Sequence, residues 1–366
     1  MELRKRCLTK DFTNNNYKYK LKKQKNDNSQ RQNHIEDLSG EIWFELFAYF
    51  DGQSLINIFS QLNSYITSLL SDYRLPIHLN ILCSNFQIPS LFNTNQIVSL
   101  TIDYSYINDD NQKLHINSFV RLRSLCLIYI NDEQLEKVSQ FPLNNLCQIS
   151  IRAKCARFIT KIISIYFPNV NRMILNSMEK EFLVKSFQHD KTKNRIEKLT
   201  LNGRIKLAKL FRLWSFVPNL RSLSLINGGV HQCDYWMDEN IISHKNFPPQ
   251  LSFMHINICD DDMSFSNLER LIPKTVRYLI LSGSMADDDL NDYLSSTNWI
   301  RLISNCSNKL NYIKLNISSY YDPSDSVGLR KLLLDFRNNS FFHNTIIKSQ
   351  NFFITINGYI KPDLNQ

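Results

Sequence analysis

The sequence predicts an α/β protein in which a small helical module precedes a solenoid of strand–helix repeats, with parallel strands inside and helices outside. Two observations support this prediction. Apolar residues within 34–82 recur every three to four positions, which is the spacing of a helix face. Beyond that segment, an apolar-x-x-apolar-x-apolar pattern recurs about every 25 residues, and a period of that length indicates stacked structural units.

Residues 1–33 form a basic tail. They contain ten Lys or Arg residues against three acids, a net charge of +7, whereas the whole chain carries +9 and the other 333 residues therefore +2. The tail has few apolar residues to bury, so we expect it to be disordered. Its basic runs at 4–6 and 18–25 match a nuclear-import signal or a nucleic-acid contact, but a solvated tail is the simpler interpretation. A nucleic-acid partner is not expected.

Three short helices are predicted within the 34–82 module. The apolar spacing places them near 38–50, 55–62 and 66–70, with a break at Asp51-Gly52. Ser39 precedes the first helix and belongs to the residue types that cap helix N-termini. Three helices of this size bury little core alone, so we expect a partner or a neighbouring domain to cover their remaining apolar face.

The repeat covers 75–366 in about ten copies. Nine copies are clear, and their last apolar positions are separated by 25, 24, 24, 26, 24, 31, 25 and 34 residues. These positions are Ile102, Leu127, Ile151, Leu175, Leu201, Leu225, Ile256, Leu281 and Leu315. A first copy is expected at 75–80 and a weak last copy at 352–356, and the two long steps indicate insertions around 228–248 and 283–308.

Helical spacing recurs between the predicted strands. The stretches are 134–139, 157–167, 205–216 and 287–294. Acidic residues cluster where such helices begin, at 109–110, 132–133, 260–262 and 287–289. Helix capping and complementarity to the helix dipole explain these clusters better than metal binding does.

The strand–helix unit of 24–26 residues resembles the leucine-rich repeat in its longer, helix-bearing form. The family places Asn or Cys three positions after the last strand Leu, and this chain has that feature only at Cys259. Asn202, Asn257 and Asn316 instead follow the last apolar position directly. The resemblance therefore implies an irregular horseshoe without a regular asparagine ladder.

The helical module resembles the F-box, whose pattern begins Leu-Pro-x-Glu-Ile/Leu and continues into a Leu-rich second helix. Ser39 stands where the family usually has Pro. The resemblance implies binding to a Skp-type adaptor and, through it, to a cullin scaffold of an SCF-type ubiquitin ligase. The positions that carry the resemblance, and that it implies for adaptor binding, are Leu38, Glu41, Ile42, Leu46, Phe47, Phe50, Leu55, Phe59 and Leu62.

The sequence has no motif for catalysis, metal or cofactor binding. It lacks GxSxG, HExxH and P-loop patterns, so we expect a non-catalytic protein without cofactors. The eight cysteines are scattered, which favours the reducing cytoplasm or nucleus. A zinc site can be drawn from His231, Cys233, His244 and Cys259, but their spacing matches no standard zinc finger. No run of eighteen apolar residues occurs, so no membrane partner is expected.

Two function classes remain open at this point. The first is the substrate-recognition subunit of an SCF-type ligase, and the second is a leucine-rich-repeat scaffold whose helical module only caps the solenoid. An exposed strip formed by Leu38, Ile42, Leu46 and Phe50 would favour the first class. Burial of the same strip against the first repeat would favour the second.

A protein target is expected on the open, concave face of the sheet, where side chains between the buried strand positions point. Three late copies place an aromatic ring at the same position, and aromatic and Arg side chains dominate protein interfaces. The rings could instead only pack on one another along the sheet. We expect a target with an acidic segment, bound by Arg221, Phe253, His255, Arg277, Tyr278, Tyr312 and Lys314.

Overall fold

The computed structural model describes residues 35–82, 90–106, 116–153, 167, 169–182, 194–231, 247–258, 263–285, 287–306, 310–320, 334, 338, 345–350 and 353–360. The chain divides into a short unit, Met1–Ser39, and a large unit, Gly40–Gln366. In the short unit, Ile35–Asp37 form a 3-10 turn, and the Leu38 N–H donates to the Ile35 carbonyl at 3.3 Å. The prediction of a disordered tail over 1–33 falls outside the described residues.

The large unit begins with three short helices, α1 (Gly40–Phe47), α2 (Gly52–Phe59) and α3 (Ser64–Leu70). The Asp51 carboxylate accepts a hydrogen bond from the Ser54 N–H at 2.8 Å and caps α2. The Asn63 side chain caps α3 in the same way. The three helices predicted from the apolar spacing are therefore present, and the break before α2 is a capped helix start.

In the described parts of the chain, twelve strands form one sheet, and its first ten strands are parallel neighbours in chain order. They are β1 (Ile77–Ile81), β2 (Ile97–Asp103), β3 (Ser124–Ile130), β4 (Gln148–Ala153), β5 (Arg172–Phe182), β6 (Lys198–Lys206), β7 (Ser222–His231), β8 (Phe253–Ile258), β9 (Tyr278–Met285) and β10 (Tyr312–Tyr320). Because each strand pairs with the next one in the sequence, every repeat adds one strand to the sheet. This confirms the predicted α/β class with repeated parallel strands.

The predicted apolar positions of the strands stack in buried rows. Leu100 pairs with Leu125, and Leu125 with Ile149, so the rows stay in register from strand to strand. The first row is at most 1% exposed and consists of Leu79, Leu100, Leu125, Ile149, Met173, Leu199, Leu223, Met254, Leu279 and Ile313. The side chains between the buried rows point to the opposite face of the sheet, which we call the open face.

Five further helices are seen in the described part of the chain. They are α4 (Asp132–Ser139), α5 (Leu207–Trp214), α6 (Phe265–Leu271), α7 (Asp287–Leu294) and α8 (Ser296–Asn305). Their apolar side chains join the buried strand rows in one core, for example Leu210, Leu268 and Trp299. The 34-residue step of the repeat thus contains two helices, α7 and α8. The predicted helical stretch at 157–167 lies outside the described residues except for Phe167.

Two of the predicted acidic clusters lie at helix starts: residues 287–289 begin α7 (Asp287–Leu294), and residues 132–133 begin α4. Asn131 caps α4 by accepting from the Gln134 N–H at 2.8 Å, and the Gln134 side chain accepts from the Asn131 N–H at 3.0 Å. Asp132 and Glu133 occupy the first turn of α4, where a negative charge complements the helix dipole. The clusters at 109–110 and 260–262 lie outside the described residues.

The C-terminal end of the sheet differs from the prediction of a last parallel copy. A hairpin is formed by β11 (Thr345–Gln350) and β12 (Phe353–Ile360), and β12 pairs antiparallel with β10. The two residues between β11 and β12 are too few for the crossover that parallel strands require. Residues 353–356 of the predicted 352–356 copy thus lie in a strand, but this strand runs antiparallel to β10 instead of parallel to it.

A buried glutamine joins the helical module to the sheet. The Gln96 side chain is fully buried, and its Nε2 donates to the carbonyl oxygens of Leu70 and Asp72, both at 2.8 Å. Its Oε1 accepts from the Asn93 N–H at 2.7 Å. Since Gln96 directly precedes β2, these bonds hold the end of α3 beside the second strand.

We expect Gln96→Ala to lower the free energy of unfolding by about 1–3 kcal/mol, because two buried hydrogen bonds to main-chain carbonyls are lost. Urea unfolding followed by circular dichroism measures the change. Hydrogen exchange should show the largest loss of protection in α3. Gln148→Ala, at a half-buried position of the open face, is the matched control. Equal stability of the two variants would contradict the role assigned to Gln96.

Gly283 in β9 is required by its backbone conformation. Its φ is +115°, and a Cβ atom there would overlap the carbonyl oxygen of Ile258 and lie 2.7 Å from Asn257 Oδ1. We expect Gly283→Ala to destabilise the protein by at least about 1–3 kcal/mol, the usual cost of such strain. The midpoint of urea unfolding tests this, with Ser222→Ala on the open face as control. A midpoint unchanged within error would show that β9 relaxes freely here.

Candidate functional site

The core of the helical module is aromatic. The rings of Trp43 and Phe47 lie 5.5 Å apart, and Phe59 lies 6.0 Å from Trp43 and 5.2 Å from Phe47. All three side chains are buried, as is Leu55. Of the residues expected to bind the adaptor, Phe47, Leu55 and Phe59 therefore pack inside the module and do not lie on its surface.

The surface of the module exposes large apolar and aromatic side chains on all three helices or next to them. We call this set the module surface: Ile42, Tyr49, Ile58, Leu62 and Tyr65, each at least 42% exposed. Leu46 and Phe50 are half-buried, and the Glu41 side chain is exposed. Leu38 belongs to the short N-terminal unit and is also half-buried.

The sequence pattern left open which face of α1 is buried. The predicted strip contained Ile42 and Leu46, whereas the structure buries Trp43 and Phe47, one position further along the chain. One residue corresponds to a rotation of about 100° around the helix axis. The Trp43 and Phe47 pair at i, i+4 was the signal available in the sequence, but apolar residues occupy both faces of α1, so spacing alone does not choose between them.

The open face of β8–β10 carries five of the seven predicted target-binding residues in two rows. Phe253 pairs with Tyr278 and Tyr278 with Tyr312, which makes one aromatic row across three strands. The Tyr278 and Tyr312 rings are 6.5 Å apart and inclined by 48°, so neighbouring rings do pack on each other. Tyr278 nevertheless remains 48% exposed. The row is thus both a packed layer and an accessible surface.

The second row contains a hydrogen-bonded histidine. His255 is in register with Ile280, and Ile280 with Lys314. The His255 Nε2 lies 3.0 Å from Ser282 Oγ, and this hydroxyl donates to Asn257 Oδ1 at 3.1 Å. Partial burial, followed by the charge of Lys314, lowers the pKa of His255 below its usual value. The imidazole is therefore a neutral polar group at pH 7, and the cation in this row is Lys314.

Cationic side chains line the beginning of the strands. Arg221 and Arg277 each directly precede a strand and are exposed, and Arg221 Nε donates to Gln250 Oε1 at 3.0 Å. On the earlier strands β5 and β6, Arg172 pairs in register with Lys198, and both side chains are exposed. Like charges on directly opposed strand positions repel each other, so these positions are best matched by an acidic partner.

Two cysteines among the described residues have thiols with raised pKa values. Burial raises the pKa of the Cys306 thiol to about 11 and also raises the pKa of Cys126, so neither thiol is a thiolate at neutral pH. Within the described ranges, no group of three His, Cys, Asp or Glu residues is arranged to hold a metal ion. Three residues of the possible zinc site, Cys233, His244 and Cys259, lie outside those ranges.

None of the helices in the part of the chain that the structure describes is long and apolar enough to cross a bilayer.

The two surfaces, the module surface and the open face of β7–β10, are the candidate functional sites of the chain. No protein-family model and no curated protein matches this chain.

Proposed function

We propose that this chain is the non-catalytic substrate-recognition subunit of an SCF-type ubiquitin ligase. In this proposal the helical module acts as an F-box that binds a Skp-type adaptor and thereby reaches the cullin, and a leucine-rich-repeat sheet binds the target protein. The observation that carries the proposal is the exposure of Ile42, Ile58 and Leu62, at 49%, 48% and 51%. Exposed large apolar groups in so small a module are typical of a surface that a partner covers.

The separation of the two surfaces gives further support. The module surface lies on three helices at the start of the large unit, and the aromatic row lies on its eighth to tenth strands. One chain can thus hold two partners at once, which is the task of a subunit that connects an adaptor to a target. The cationic positions on the open face favour a target with an acidic segment.

A second candidate is a scaffold whose helical module only caps the sheet. A specific contact favours it: a Cβ on Gly52 would lie 3.0 Å from Ile77 Cγ2 and 3.2 Å from Leu79 Cδ1. The first turn of α2 therefore packs directly on β1, which is what a capping element does. Capping uses the buried side of α2, so it is compatible with adaptor binding on the exposed side. Adaptor binding is what separates the two candidates.

We expect Ile42→Glu combined with Leu62→Glu to abolish co-purification with a recombinant Skp-type adaptor, because two charges would have to be buried in the interface. The melting temperature should change by less than about 2 °C, since both positions are exposed and surface substitutions have small effects.

Gln61→Glu is the control, since it adds a charge at an exposed position next to Leu62. It should leave the complex intact. If the double variant is folded and still forms a complex of unchanged affinity, the module surface does not bind the adaptor. If the unaltered chain binds no adaptor, the capping scaffold becomes the better proposal.

We expect Tyr278→Ala combined with Tyr312→Ala to reduce target capture at least about tenfold, because aromatic anchors contribute 2 kcal/mol or more at interface centres. Proximity labelling in cells, quantified against the unaltered chain, measures the loss. Adaptor binding should be unchanged.

The corresponding control is Ser99→Ala, at the same open-face position of β2. Labelling of the same proteins by the double variant and the unaltered chain would place the target elsewhere. So would cross-links that map the target to α4 or α5.

A further inference from the structure

A pocket opens at the beginning of strands β7–β9, beside the aromatic row. Its volume is about 360 Å³, and the residues that line it include Arg221, Gln250, Ser252, Arg277 and Tyr278. This space is several times the size of a water molecule, whose share of liquid volume is about 30 Å³. It therefore has room for a polar head group together with the side chain that carries it.

Backbone hydrogen bonds fix two arginines on either side of a serine. The Ser252 N–H donates to the Arg221 carbonyl at 3.0 Å, and the Arg277 N–H donates to the Ser252 carbonyl at 2.8 Å. The three residues thus lie side by side at the same level of the sheet. Neighbouring strands are about 4.8 Å apart, so the Cα atoms of the two arginines are separated by roughly 10 Å with Ser252 between them.

The positive charge of this pocket is only partly balanced. Arg221 Nη2 lies 4.0 Å from Glu197 Oε1, and Glu197 is on the side of Arg221 that faces away from Ser252. Among the described residues, no acidic side chain forms an ion pair with Arg277. Among the described residues, two guanidinium groups therefore line one pocket whose lining contains no acidic side chain, and an anion is the complementary ligand.

The donors of the pocket point to the class of anion. Each guanidinium carries a planar fork of N–H groups, and both arginines line the pocket. The Ser252 hydroxyl makes a long hydrogen bond of 3.3 Å to the Arg221 carbonyl, and the Tyr278 phenol is partly exposed beside it. A carboxylate has two acceptor oxygens in one plane. A phosphate monoester has three, with a charge near −2, and can be held by both forks at once.

We propose that the pocket between Arg221 and Arg277 binds the phosphate monoester of a phosphorylated protein segment. The aromatic row reaches the pocket wall at Tyr278 and continues to Tyr312, so residues flanking the phosphate can rest on it. The role of Gln250 is to orient Arg221 through the 3.0 Å hydrogen bond to its Nε. The pocket needs no adaptor, so this inference stands independently of the ligase proposal.

The test uses the full chain and fluorescence anisotropy with degenerate peptide pools. One pool carries a central phosphorylated Ser, Thr or Tyr, a second is its unphosphorylated counterpart, and inorganic phosphate serves as a competitor. At pH 7.5 we expect the phosphorylated pool to bind at least about tenfold tighter. That preference should shrink towards pH 5.5, because the second phosphate pKa is near 6 and one charge is lost below it.

Arg277→Gln and Arg221→Gln should each reduce the preference for the phosphorylated pool by about tenfold or more. Arg277→Lys keeps the charge but not the fork, and should lose an intermediate amount. The matched control is Arg123→Gln, because Arg123 occupies the same exposed position before β3 and lies four strands away from Arg221. It should leave the preference unchanged, and circular dichroism should show all four variants folded.

Three results would overturn the proposal. Equal affinity for both pools would show that the pocket does not recognise phosphate. An equal loss in Arg123→Gln would show general attraction to a cationic face. Competition by inorganic phosphate at the concentration at which the peptide binds would show a site for free phosphate. Adaptor co-purification is measured on the same variants, so that failure of the pocket and failure of the ligase proposal are told apart.

Discussion

The register of the parallel strands controls both the buried core of this protein and the arrangement of side chains on its open face. Each strand buries its apolar side chains only because the next strand places equivalent side chains beside them, as Leu100, Leu125 and Ile149 show. A shift by one residue would exchange the buried rows with the open face. The backbone ladder continues one residue before several strands, where the Arg221 N–H donates to the Glu197 carbonyl at 2.8 Å. The same register that builds the core therefore also sets the spacing of the open-face side chains.

A stack of this kind has two ends, and both are closed by elements that do not belong to the repeat. At the first strand, α2 packs through Gly52 onto Ile77 and Leu79, and Gln96 fastens the end of α3. At the last parallel strand, the reversed β12 pairs with β10 and leaves β11 outside. At the first strand these contacts cover the apolar row, which is the task of a capping element in a stack of repeats. The helical module is thus part of the fold whatever else it binds.

The side chains of the open face are not part of the buried core, which explains why their residue types can vary from strand to strand. Its row positions change from Ser99 and Ser124 to Arg172 and Lys198, and then to rings. The charged positions and the rings lie next to each other, so an acidic or phosphorylated segment could use both. The neutral His255, held by Ser282, adds hydrogen-bonding capacity without adding charge. Both functional proposals for the sheet rest on this division between a uniform core and a varied face.

The repeat, the strand positions, the three helices of the module and the rows of the open face could be predicted from the amino-acid sequence. They could be predicted because alternation along a strand and spacing along a helix are local patterns that burial imposes directly. The folded structure was needed to show that Trp43 and Phe47 are the buried side of α1, since apolar residues lie on both sides of that helix. It also decided the reversed direction of β12, and it brought Arg221, Ser252 and Arg277 side by side. These three residues are 31 and 25 positions apart in the chain, and only the backbone ladder between unequal repeats sets them at one level.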